Sequence, residues 1–221
     1  VRAYFDAGPS IVGVGSGLVR LTTDEIAAYF RTLSADLQTG SDRAETHIRY
    51  DIDMRFRPVT LVDNHRVCDD IAILTFDRKV NVQAGEFIHL WIPGVGEKPF
   101  SALNDVPFSL VVIDVGLFTH ALMDLPPGTE AYVRGPHGIP VSPPEGARIM
   151  AVAGGTGLAA VYQIVRDFGN AEVFAGARSA NRLYYLDECR QVAPVHVATD
   201  DGSAGYHGVV TELLRERLAA T

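Results

Sequence analysis

The chain has 221 residues, 47% of them hydrophobic and 21% charged, with a formal net charge of −8. That is enough apolar material for a packed core and length for two modest domains. The acidic balance, with no block of Lys and Arg, argues against nucleic acid and membrane surfaces as partners. Two cysteines, Cys68 and Cys189, are too few for a disulfide framework or a four-thiolate metal site. A reducing, cytoplasmic setting fits them, and no metal is expected. The N-terminus lacks a basic patch followed by an apolar run, so no signal peptide is expected. Val1 in place of Met reads as a processed chain or a fragment.

Residues 1–45 read as a separate βα extension. Ile11 to Val14 has the character of a short strand, and Gly15 to Gly17 form a turn. Thr22 or Thr23 caps a helix with Ile26, Tyr29, Phe30, Leu33 and Leu37 on one face. Gly13, Gly15 and Gly17 invite a nucleotide reading, but the third glycine is misplaced for the dinucleotide fingerprint. An exposed apolar helix favours an interface role, so an oligomer is expected.

Residues 46–146 change character. Ile71–Phe76, Phe87–Ile92, Phe108–Ile113 and Glu130–Val133 are rich in β-branched and aromatic residues, separated by Gly, Pro, Asn and Asp. They predict a small antiparallel barrel. Helix signal is scarce there, apart from Thr119–Asp124. In residues 147–221 strands (149–153, 172–176, 195–198) alternate with helices (158–168, 208–219), the pattern of a doubly wound α/β domain. The boundary is expected near Pro143–Gly146. Cys189, on a helix from Leu186 to Gln191, reads as a core or surface residue rather than a ligand.

One turn has the geometry of an anion site. Ile149–Ala153 is a buried-strand run, Gly154, Gly155, Thr156 and Gly157 follow, and Leu158, Val161, Tyr162 and Val165 then recur at helical spacing. Glycines let the backbone approach an anion, and the first helical turn offers unpaired N–H groups and the positive end of its dipole. Alone, the motif is weak, and a ligand-free strand-to-helix connection is the lesser reading. Ala147 to Val165 is not a membrane span, because three glycines interrupt it and charges flank it.

Further motifs stand in a fixed order around it. Gly85–Glu97 leads into Lys98, Pro99, Phe100 and Ser101. Val115, Gly116, Leu117, Phe118 and Thr119 precede a helix. Arg134–Gly138 follows the Glu130–Val133 run, Ala177, Arg178 and Ser179 end a strand, and Thr199 leads into Asp200, Asp201 and Gly202. A barrel, a Rossmann-like half and these motifs together resemble the ferredoxin reductase superfamily. Within it the chain is most similar to the archaeal form of the electron-transfer subunits of dihydroorotate dehydrogenases, over about residues 52–218.

The resemblance implies roles residue by residue. In the family's Arg-Pro-x-Ser segment the cation meets the FAD pyrophosphate and the Ser lies near flavin N5. Lys98, Pro99 and Phe100 are therefore expected at FAD, and Ser101 as the hydrogen bond that tunes N5. Lys98 is a point charge without the arginine fork, so its phosphate grip is looser. Val115 to Thr119 match a Gly-Thr turn whose amides bind the FAD phosphates, with Leu117 where Thr is usual. Backbone contacts survive that change; a hydroxyl contact is in question. After Arg134–Gly138 the usual Asn-Gly-Phe is replaced by Ile139–Pro144, and His137 reads as packing rather than a base. Gly154 to Gly157 match the pyridine-nucleotide turn, with Ala160 in place of a proline. Ala177, Arg178 and Ser179 stand where the family holds the adenosine ribose or its phosphate. Asp200, Asp201 and Gly202 face the nucleotide, although Asp-Asp-Gly-Ser is also an ordinary turn that either Asp can cap. Arg178 suits a 2′-phosphate and also stacks on adenine, so NADH and NADPH both fit.

The implied function is a flavin-dependent NAD(P)H oxidoreductase, an electron-transfer subunit exchanging hydride between nicotinamide and FAD for a catalytic flavoprotein or iron–sulfur partner. Pyrimidine biosynthesis is the implied context. Family members continue into a Cys-Gly-Pro-Glu strand and, in the dihydroorotate subunit, a four-cysteine [2Fe–2S] site. The sequence ends at Thr221 before either, so no [2Fe–2S] cluster is expected within these residues. A hydrogenase- or ferredoxin-linked reductase subunit and a non-catalytic FAD-binding interaction subunit are the alternatives. Residues 1–45 resemble the last βα unit of a dihydroorotate dehydrogenase barrel, where a Gly-x-Gly-Ser turn holds flavin phosphate; one unit cannot close such a barrel.

Overall fold

The computed structural model describes residues 54–219. The expected N-terminal strand, helix and Gly13–Gly17 turn lie outside the described residues.

Seven strands form an antiparallel sheet: β1 (Arg57–Cys68), β2 (Ile71–Phe76), β3 (Phe87–Ile92), β4 (Gly96–Phe100), β5 (Ala102–Asp105), β6 (Phe108–Ile113) and β7 (Glu130–His137). Their order is β4-β3-β7-β1-β2-β6-β5. Strict alternation sends Ile88, Leu90 and Ile92 of β3 inward and leaves Phe87, His89 and Trp91 outward. One core, drawing Val59, Leu74, Phe76, Leu90, Phe108, Leu110 and Val133 from both halves of the sheet, shows that the sheet curls on itself. The barrel expected from the sequence is open, because edge strands β4 and β5 share no ladder. Ser101 alone joins those two edges along the chain. It occupies the seam.

Helix α1 (Leu117–Met123) follows β6 and covers the core with Phe118, Leu122 and Met123. A four-stranded parallel sheet follows, of β8 (Ile149–Gly154), β9 (Ala171–Ala177), β10 (Val195–Thr199) and the two-residue β11 (Tyr206–His207), in the order β11-β10-β9-β8. Helices α2 (Gly157–Phe168), α3 (Leu186–Val192) and α4 (Val210–Ala219) accompany it. A second core joins Val161, Val165, Val173 and Cys189 to Ile71, Leu103 and Val111 of the antiparallel sheet. This explains why the first five residues of β6, the polar Ser109 among them, are all buried: one face meets each core. Cys189 is fully buried, which pushes its thiol up to about 11. Among the described residues no helix is long and apolar enough to cross a membrane.

Candidate functional site

On the antiparallel side, Ile88 pairs with Phe100 and Leu90 with Lys98. Directly opposed residues share a face, so Lys98 and Phe100 lie on the same side of β4, and Pro99 turns away beside His89. The Phe100 ring stands 6.3 Å from that of Phe118. That contact brings the Lys98–Ser101 segment against the Val115–Thr119 turn. Inside the turn, Thr119 Oγ1 accepts from the amides of Val115 and Gly116 at 3.0 Å each and donates to Gly116 O. The hydroxyl is thus used by the turn itself. Leu117 is 93% exposed. Nearby, a hydrogen bond from His120 Nδ1 to Asp114 Oδ2 at 2.8 Å raises the His120 pKa.

On the parallel side, Gly154 ends β8, Gly155 and Thr156 form the turn, and Gly157 opens α2. The Gly155 amide donates to Gly176 O at 2.9 Å, and Tyr184 Oη donates to Gly155 O at 3.3 Å. Burial raises the Tyr184 pKa, so this hydroxyl stays a donor. Ala177 ends β9, with Arg178 and Ser179 just beyond it. The Asp200 amide donates to Ala177 O and the Asp201 amide to Arg178 O, tying the loop after β10 to the one after β9. All three segments therefore meet at the carboxyl edge of parallel strands, where open α/β sheets place ligands. Asp201 braces its own turn: Oδ1 accepts from Ser203 N at 2.9 Å and from Ser203 Oγ at 2.5 Å, which lowers its pKa. Ser179 Oγ donates to Asn181 Oδ1 at 2.6 Å.

The turn glycines bear on what these segments can hold. Gly202 has φ +72, and a Cβ there would stand 2.8 Å from the His207 ring, so its glycine is needed within the protein. Gly116 is extended at φ 175, and among the described residues a Cβ on it would meet nothing within 4 Å. A Cβ on Gly157 would likewise meet nothing, and its φ lies outside the left-handed range. Neither backbone strain nor crowding demands glycine at these two positions. Each leaves room for an outside group at the start of a helix, where first-turn amides favour an anion such as a diphosphate. The residues fit FAD on one side and a pyridine nucleotide on the other.

Sequence reasoning missed the joint between the two sides. Gln163 Nε2 donates to Ala102 O at 3.2 Å, and Arg166 Nη1 donates to Asn104 Oδ1 at 2.6 Å and Asp105 Oδ1 at 2.8 Å. Arg182 grips Asp70 with both nitrogens, at 2.6 and 2.8 Å, and holds the Asp70 pKa down. The one available signal was a glutamine beside Tyr162 in the otherwise apolar stretch Leu158–Val165.

No family model matches the chain. It is 39% identical over 164 residues to the electron transfer subunit of dihydroorotate dehydrogenase B (NAD+) of Pyrococcus abyssi, covering 73% of this chain and 65% of that one. The corresponding subunit of Thermococcus kodakarensis is 37% identical over 167 residues, covering 73% and 70%. The chain thus spans about two thirds of the length of these relatives. Among solved structures, a NADH-dependent reduced ferredoxin-NADP oxidoreductase superposes with a TM-score of 0.65 at 27% identity, covering 72% of this chain and 62% of that one. Amycolatopsis cytochrome P450 reductase GcoB shares the fold, with a TM-score of 0.64 at 22% identity and coverage of 75% and 59%. Sequence identity and superposition agree: the chain belongs to the ferredoxin reductase-like family of dihydroorotate dehydrogenase B electron transfer subunits.

Proposed function

We propose that the chain is a flavin-dependent NAD(P)H oxidoreductase, the electron-transfer subunit that takes electrons from a pyridine nucleotide and delivers them to a catalytic partner. Residues 46–146 would hold FAD and residues 147–221 the nucleotide. The observation that carries this reading is the pair of glycines, Gly116 before α1 and Gly157 at the head of α2, that open space at the start of a helix on each side of the fold.

Bound FAD supplies the hydride exchange with nicotinamide. Lys98 offers a cation, and the first-turn amides of α1 beyond Gly116 offer donors, to the FAD diphosphate. Phe100 and Phe118 form an apolar wall beside them. Ser101, in the sheet seam, is the hydrogen-bond partner of flavin N5 and the one candidate catalytic residue. Gly155, Thr156 and Gly157 hold the nucleotide diphosphate, and Ala177, Arg178, Ser179 and Asp200 surround its adenosine end. No side-chain acid or base is required. By analogy with the named relatives, the partner is the catalytic subunit of a dihydroorotate dehydrogenase, in the cytoplasm and in pyrimidine biosynthesis.

A ferredoxin-linked reductase subunit would use the same residues, and the 27% identity to the ferredoxin-NADP oxidoreductase favours it. Reduction of the FAD-loaded protein by NADH and by NADPH tests the shared core of both readings. Electron delivery to ferredoxin, against delivery to a dihydroorotate dehydrogenase catalytic subunit, separates them.

A further inference from the structure

Helix α2 begins at the glycine turn and lies with its side against β5, the strand that starts immediately after Ser101. Gln163, only 3% exposed, donates to the backbone carbonyl of Ala102. Three residues on, along the same helix face, Arg166 reaches Asn104 and Asp105. Both contacts land on an edge strand, whose outer polar groups have no ladder partner.

Gln163 is a costly residue for packing alone. Its Oε1 is buried with no hydrogen-bond partner among the described residues, a penalty that an apolar side chain of similar volume would not carry. What the amide contributes is direction: its one hydrogen bond fixes the register of α2 on β5. We infer that Gln163 and Arg166 are positioning residues that set where the pyridine-nucleotide turn at the head of α2 stands relative to Ser101. This rests on the assignment of the two turns to FAD and nucleotide made above.

The test uses the full chain loaded with FAD. Gln163→Met keeps volume and removes the donor; Arg166→Lys keeps charge and removes the fork; Asn104→Ala removes an acceptor from the other side. Three quantities are read: the thermal midpoint, the change in oxidised-flavin absorption on saturation with NAD+, and the limiting rate of flavin reduction at saturating NADH. Positioning predicts FAD affinity and thermal midpoint near wild type in Q163M. It also predicts a strongly diminished NAD+-induced flavin difference spectrum and a limiting rate lower by about 10- to 100-fold, the scale of an ångström-size misplacement. R166K and N104A are expected to show the same pattern more weakly. A wild-type difference spectrum and limiting rate in Q163M and R166K would overturn the inference while leaving the proposed function intact. A wild-type protein that binds FAD but shows neither an NAD+ difference spectrum nor reduction would overturn both. Should Q163M fail to fold, the R166K and N104A pair decides by the same readings.

Discussion

Lys98 sits exposed on an edge strand, with no ion pair among the described residues, and is the cation proposed above for the FAD diphosphate. A charge-assisted contact of this kind contributes about 1.5 kcal/mol, so Lys98→Ala should weaken FAD binding about tenfold in a fluorescence titration. Lys98→Arg should tighten it by restoring the bidentate fork. Equal FAD affinity in all three proteins would remove Lys98 from the site. Gly157 offers a sharper contrast. Because its backbone is ordinary and its surroundings open, Gly157→Ala should leave stability unchanged or raise it by up to about 1 kcal/mol. Nucleotide affinity should nevertheless fall about tenfold, since a methyl would stand where the diphosphate approaches. Gly155 differs, with φ +56, so Gly155→Ala should cost about 1 kcal/mol in thermal unfolding as well.

At the scale of elements, the parallel sheet is clamped at the end opposite its turns. Glu172 at the start of β9 takes an ion pair from Arg148, a 3.0 Å contact from His196 Nε2 and a 3.4 Å contact from Arg217 Nε. Arg148 foremost holds the Glu172 pKa below the usual carboxylate value. A depressed carboxylate stabilises the fold above its unfolded pKa, about 4.3, and that stability is lost as pH falls through the folded value. Glu172→Gln should therefore cost about 1–3 kcal/mol at neutral pH and converge with wild type in acid denaturation. Its FAD and nucleotide affinities should not change. Elements with strong apolar patterning were legible: β2, β3 and β6 match the expected runs end for end. Strand β1 was not, because only Val59 and Leu61 among its 12 residues are buried and polar residues break its alternation. Strand β7 runs four residues beyond the expected Val133, through the Arg134–His137 motif. His137 packs as expected, its ring 5.5 Å from Phe87 and 5.0 Å from His89, with burial lowering its pKa.

At the scale of the whole molecule, the second core crosses both sheets, and the Arg182–Asp70 and α2–β5 contacts brace it. FAD bound to the antiparallel side should therefore stabilise the whole described region. At a free concentration about 100 times Kd the gain is about 2.7 kcal/mol, seen as an upward shift of a single unfolding transition. A separate transition that FAD leaves unmoved would show that the two sides unfold independently. The turns of the site were legible because glycine patterns are local in sequence. Their joint was not, since Gln163 and Ala102 stand 61 residues apart and Arg182 and Asp70 stand 112 apart. Contacts at such separations depend on register and crossing geometry, which periodicity does not carry. The central claim, a flavin reduced by a pyridine nucleotide within this chain, is tested most directly by anaerobic titration of the FAD-loaded protein with NADH. Flavin absorption bands that appear on loading and bleach in proportion to added NADH are the predicted result; a protein that takes up no FAD, or whose bound flavin stays oxidised in excess NADH and NADPH, would contradict it.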